Sequence, residues 1–99
     1  MRLALLALLL LAGCETAHPS MMGSVKREVV LDGIRFVTFQ KGDEIEVLRM
    51  GYLTRARRAA VPALMEQAAA QTTGCRVVPD SRRTRIPGDS GEAMFDLDC

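Results

Sequence analysis

Two runs of β-forming residues flank an Asp-Gly pair. Val25-Lys-Arg-Glu-Val-Val-Leu31 precedes Asp32-Gly33, and Ile34-Arg-Phe-Val-Thr-Phe-Gln40 follows it. A two-residue loop of this composition predicts a type I′ hairpin, because both loop positions must take positive φ and Asp and Gly tolerate it. The turn then sets the register. Leu31 faces Ile34 and Val29 faces Phe36. Since side chains alternate along a strand, these four share one apolar face with Val25. Val30, Val37 and Phe39 fall on the other face among Lys26, Glu28 and Arg35. That second face is mixed, and it is a candidate docking surface as well as a candidate half-buried sheet.

The rest of the chain extends this start. Lys41-Gly42-Asp43 predicts a second turn into a third strand, Glu44 to Met50, whose register the loop length leaves open. From Tyr52 to Thr73 the apolar residues Leu53, Ala56, Ala60, Leu64 and Ala68 recur every three or four positions, which predicts a helix. Thr54 is its expected N-cap and Gly74 its expected C-terminal cap. Pro62 interrupts the pattern, since proline removes one intrahelical hydrogen bond. We expect one helix bent at Pro62. The alternative is a helix that starts near Ala59 with Pro62 in its first turn. Cys75 to Pro79 and Ala93 to Cys99 read as the last two strands, joined by a polar loop. The order β-β-β-α-β-β predicts an α+β domain: a small antiparallel sheet with one helix packed on one face and hairpin strands pairing sequentially.

The N-terminus carries a different signal. Arg2 precedes ten residues, Leu3 to Ala12, that are only Leu and Ala. A membrane-spanning helix needs about 20 apolar residues, so this run is too short to be one. A charged start, a short apolar core and a small-residue end make a secretory signal. Its last residues, Leu11-Ala12-Gly13-Cys14, resemble the lipobox of bacterial lipoproteins. The resemblance covers residues 1–14. It implies that the Cys14 thiol receives a diacylglycerol, that cleavage follows Gly13, and that the new amine of Cys14 is acylated. Glu15 stands where an aspartate signals inner-membrane retention in some bacteria, so the outer membrane is the expected address. The domain organisation expected is therefore a signal peptide at 1–13, a lipidated Cys14 with a flexible tether through residue 24, and a single domain at 25–99. His18, the one histidine, falls on the tether.

With Cys14 assigned to lipid, two cysteines remain in a chain bound for an oxidising compartment. If the last two strands pair with Cys75 opposite Cys99, then Val77 faces Leu97, Pro79 faces Phe95, and Arg76 faces Asp98 as an opposite-charge pair. One register satisfies the thiols, the apolar face and the charges together, so a Cys75–Cys99 disulfide is expected.

Little else carries chemistry. The only histidine has no nucleophile beside it, and no Cys-x-x-Cys or calcium-loop spacing occurs. No enzyme activity, cofactor or metal is expected. The formal charge is +1, and Arg2 lies in the leader, so there is no net positive field for nucleic acid. Four aromatic residues are too few for a base-stacking platform. Two arginine clusters remain, Arg55, Arg57 and Arg58 at the start of the helical region and Arg82, Arg83 and Arg85 in the last loop. Arginine's planar fork matches phosphate and carboxylate oxygens. Arg55, Arg58, Arg82, Arg83 and Arg85 are thus candidate contacts for an anionic ligand if the fold brings them together. The expected role is a non-enzymatic envelope lipoprotein, held on the membrane by its acyl chains and presenting a stapled domain to an envelope protein partner. The alternative is a periplasmic module that binds lipid or glycan. Cys14→Ser should abolish incorporation of labelled palmitate and release the protein from the membrane fraction, as followed by fractionation and intact mass.

Overall fold

The computed structural model describes residues 19–99. The leader, Cys14 and His18 lie outside the described residues. A 3₁₀ turn at Pro19–Met21 precedes three strands, β1 (Val25–Leu31), β2 (Ile34–Lys41) and β3 (Glu44–Arg49). Two helices follow, α1 (Arg55–Arg58) and α2 (Val61–Thr73), and then β4 (Arg76–Val77) and β5 (Glu92–Asp98). The strands form one antiparallel sheet in the order β1-β2-β3-β5-β4, and α2 lies across one face. This is the expected α+β architecture.

The first hairpin has the expected register, with Leu31 opposite Ile34 and Val29 opposite Phe36. Asp32 and Gly33 both take positive φ, 53° and 73°, as a type I′ turn requires. The second turn is equally tight. Lys41 pairs with Glu44, which puts Ile45 and Val47 on the helix face and Glu46 and Leu48 on the other. The helix-side core gathers Ile34, Phe36, Ile45, Val47, Phe95 and Leu97 against Val61, Met65, Ala68 and Ala69 of α2. Thr38, fully buried on β2, donates a 3.0 Å hydrogen bond to Thr72 Oγ1 of the helix, whose own hydroxyl donates to Ala68 O. A buried hydroxyl is thereby satisfied where the sheet and helix meet.

The helical region differs from the single bent helix expected. A continuous helix would drive the Pro62 ring into the carbonyl of Arg58. The chain instead breaks at Ala59 and Ala60, and α2 starts anew with Pro62 in its first turn, where no amide hydrogen is needed. The break rotates the buried stripe. Val61, Met65, Ala68 and Ala69 are buried, whereas Ala56 and Ala60 are exposed. Thr54 precedes α1 in extended conformation and accepts from Arg57 and Arg58 through its carbonyl, without a side-chain cap. Gly74 closes α2 in the left-handed conformation, donating its N–H to Ala70 O.

The last two strands pair as expected at Arg76–Asp98 and Val77–Leu97, and Cys75 is bonded to Cys99. Pro79 does not face Phe95. The chain turns there, with Asp80 at φ 59°, and pairing resumes only at Arg83, opposite Met94. Ser81 holds the turn, donating to Val78 O and accepting from Asp96 N.

The second sheet face is more covered than the mixed pattern implies. Val37 and Phe39 are buried under Met21, itself 1% exposed. Part of the stretch assigned to the tether is thus folded onto the sheet, where Ser24 N donates to Met21 O and Lys41 Nζ donates to Ser20 O. Of the three apolar residues proposed as a docking surface, only Val30 remains exposed. In a domain this small the disulfide carries a large share of the stability. Closing 24 residues of chain is worth about 3.5 kcal/mol in the chain-entropy account, so the Cys75→Ser, Cys99→Ser variant should lose about that much in urea denaturation.

Candidate functional site

Six arginines were candidates for convergence, and the fold divides them. Arg55 and Arg58 are three residues apart in α1, so they project from one side of that helical turn. Arg57 projects elsewhere and donates at 3.0 Å to Asp32 O in the first hairpin turn, tying α1 to the sheet end. From Ser81 the chain runs extended along β5, and successive side chains alternate. Arg83 and Arg85 therefore go to the second sheet face and Arg82 goes the other way.

On that second face Arg83 bridges Glu44 at 3.3 Å and Asp96 at 3.1 Å. Arg85 lies 3.4 Å from Glu92 and 4.0 Å from Glu46. Both glutamates are buried, and Glu92 Oε1 also accepts from the Arg85 backbone. Arg85 sets its charge beside the two buried carboxylates, and Arg83 pairs with two that are half-exposed. Both arginines latch the loop, and their guanidinium groups are already paired with carboxylates of this chain.

Arg82 meets Arg55 and Arg58 across a groove of about 420 Å³, between the start of the helical layer and the last loop. Ala59 and Pro62 form its floor on the helical side, and Gly88, Asp89 and Ser90 form the loop wall. The wall is held rigidly. Asp89 N donates to Ile86 O, Gly91 N to Asp89 Oδ1 at 2.8 Å, and Arg49 Nε to Ser90 O at 3.0 Å. Arg58 donates to Leu53 O and Arg82 to Asp89 O, both backbone carbonyls. Among the described residues, no carboxylate lies within ion-pair distance of Arg55, Arg58 or Arg82, although Asp89 sits in the same wall. Three guanidinium groups against one carboxylate leave the groove positive. Its size is that of a site for a small ligand or a short segment of a larger one.

A second cavity of about 460 Å³ lies between α2 and β4, lined by Ala63, Glu66, Gln67, Ala70, Arg76 and Val77. It is a surface groove and does not enter the core. Among the described residues, no group of three or more His, Cys, Asp or Glu is disposed to hold a metal ion, and no helix is long and apolar enough to cross a membrane.

The alternation that separates Arg82 from Arg83 and Arg85 was present in the sequence, as was the acidic face formed by Glu44, Glu46, Glu92 and Asp96. What was missing was the register that sets one against the other. No protein-family model, curated protein or solved structure matches the chain. If Arg85 serves the buried Glu92, Arg85→Met should cost about 2 kcal/mol in urea denaturation, and adding Glu92→Gln should restore most of it.

Proposed function

We propose that this chain is a small, non-enzymatic lipoprotein of the bacterial envelope. Acylated Cys14 anchors it, with the outer membrane favoured, and its disulfide-stapled domain binds an anionic envelope component through the arginine groove. The observation that supports this reading is the convergence of Arg55, Arg58 and Arg82 on one groove with no carboxylate engaging them. Surface arginines in a balanced domain usually find acidic neighbours, as Arg35, Arg76, Arg83 and Arg85 do here. Three that share a rigid groove and contact only backbone carbonyls, where they contact anything, keep their charge available. Guanidinium groups are also weakly hydrated, so a ligand displaces their water at modest cost.

The lipid- or glycan-binding alternative has less support. An acyl chain needs an apolar pocket that enters the core, and the core here is filled by Phe36, Phe95, Met65 and their neighbours. A sugar-binding surface usually offers aromatic rings, and Tyr52 is the only aromatic that is exposed.

Citrate is a suitable first probe, as a small polycarboxylate. It should shift amide resonances of residues 55–62 and 82–90, and more weakly as salt is raised. Arg55→Ser with Arg82→Ser should lower citrate affinity by about tenfold or more, since each charge-assisted hydrogen bond is worth roughly 1.5–3 kcal/mol. The urea midpoint should stay unchanged, because neither side chain supports the core. Titration shifts that spare both segments would count against the groove.

A further inference from the structure

We propose that the groove takes carboxylates of an acidic peptide segment on a protein partner standing away from the membrane, and does not take the phosphates of the bilayer that holds the anchor. This inference rests on the anchored reading above and deepens it. Its first support is where the chain enters the fold. Lys41 Nζ donates to Ser20 O and Val25 pairs with Gln40, so the N-terminal segment joins the domain at the β2–β3 turn. The groove lies at the other end of the sheet. Arg57 contacts Asp32 in the β1–β2 turn, and Arg49, beside that turn's end of β2, holds Ser90 in the groove wall. β2 runs from one end to the other in eight residues. At about 3.3 Å per residue the two ends stand ~23 Å apart. From Cys14 to Ser20 is six residues, which reach at most ~21 Å when fully extended. Of the two ends of the sheet, the entry end is therefore the one an anchor at Cys14 holds close to the bilayer, and the groove end is the farther one.

Charge points the same way. The entry end places Asp43, Glu44, Asp96 and Asp98 against Lys26, Lys41, Arg76 and Arg83, which balance. The groove end places Arg55, Arg57, Arg58 and Arg82 against Asp32 and Asp89. The domain's charge is thus uneven along its length, with a balanced end toward the anchor and the basic end away from it.

The groove's own chemistry selects the ligand. Arg55 and Arg58 stand on one wall and Arg82 on the other, with Asp89 beside it. A lipid phosphodiester brings one compact anionic group, which one wall can pair with while the other is left unmatched beside Asp89. Singly charged carboxylates spaced along a peptide can pair with each wall separately, as arginine forks favour.

The test uses the acylated full-length chain on phosphatidylethanolamine vesicles. A fluorescent octapeptide of alternating glutamate and serine should bind, Arg55→Ser with Arg58→Ser should weaken it at least ~10-fold, and Arg57→Ser should change it less than ~2-fold. In parallel, dyes placed through Asp43→Cys or Ile86→Cys report distance to a lipid-borne energy acceptor. The dye at position 43 should transfer strongly and the dye at 86 weakly. An acylated chain in which position 86 lies as near the bilayer as position 43 overturns the orientation. A peptide that fails to bind, or that binds the double variant equally well, while citrate still does bind in the groove, overturns the peptide assignment and leaves the anion site standing. A full-length chain that carries no acyl groups removes the anchor and the orientation together.

Discussion

β5 enters the sheet between two strands that precede it in the chain, and its hydrogen bonds to both close the domain. On one side it pairs with β3 from Glu44–Asp96 to Leu48–Glu92. On the other it holds β4 and, beyond the Pro79–Ser81 turn, the backbone of Arg83. Its alternation serves two environments at once. Ala93, Phe95 and Leu97 complete the core beneath α2, and Glu92, Met94 and Asp96 face the opposite side. The disulfide from Cys75 to Cys99 fastens β5 to the strand that leads out of the helix. A sheet of three meandering strands with a helix across it would leave Ile45 and Val47 at an edge, and β5 buries them both.

The same strand decides what the arginine-rich loop can do. Carboxylates projecting from β3 and β5 on the second face, half-exposed at Glu44 and Asp96 and buried at Glu46 and Glu92, draw positive charge to that side. Arg83 and Arg85 supply it, and doing so fixes the direction of Arg82 by simple alternation. Local electrostatics therefore consume two of the loop's three arginines and orient the third. The break at Ala59 and Ala60 has a matching effect on the helical side. A continuous helix would have carried Arg55 and Arg58 along the axis of α2. Proline's incompatibility with the carbonyl four residues earlier separates α1, and α1 presents those two side chains to the loop. The groove is a by-product of two structural constraints, each satisfied for its own reason.

Much of this was legible in the residues. Asp32-Gly33 set the first hairpin to the residue, because only one turn family joins strands across two positions of positive φ. The coincidence of thiols, apolar pairs and opposite charges set the Cys75–Cys99 register at its first positions. That register failed at Pro79, where a proline and the left-handed Asp80 end the pairing. The helix start was misread because the apolar spacing of Leu53, Ala56 and Ala60 continues in phase across a break that only Pro62 betrays. Alanines satisfy a periodic pattern without being large enough to require burial. The groove could be stated only as a condition, since strand order across the sheet is set by long-range pairing and leaves no local mark. The burial of Glu46 left no local mark for the same reason. It depends on partners that long-range pairing brings to it, among them Arg85, more than thirty residues later in the chain.

Met21 is the least foreseeable contact and has the longest reach. Nothing periodic surrounds it, and a Pro-, Ser- and Gly-containing stretch ordinarily reads as a linker. Yet a methionine needs no particular shape to fill an irregular gap, and the apolar pair of Val37 and Phe39, which it helps to bury, offers one. Burying the side chain is worth roughly 1.5–3 kcal/mol, enough to draw a short backbone turn onto the sheet against the entropy of a few residues. The consequence is mechanical. Each residue captured by the sheet is removed from the tether, so the distance from a lipid-bearing Cys14 to the fold is shorter than composition implies. A long tether would let the domain present any surface to the bilayer. A short one, ending on a defined face at one end of the strands, couples the position of the anchor to the direction of the groove. On the proposed anchored reading, a single apolar side chain thereby limits how freely the domain can turn on its anchor.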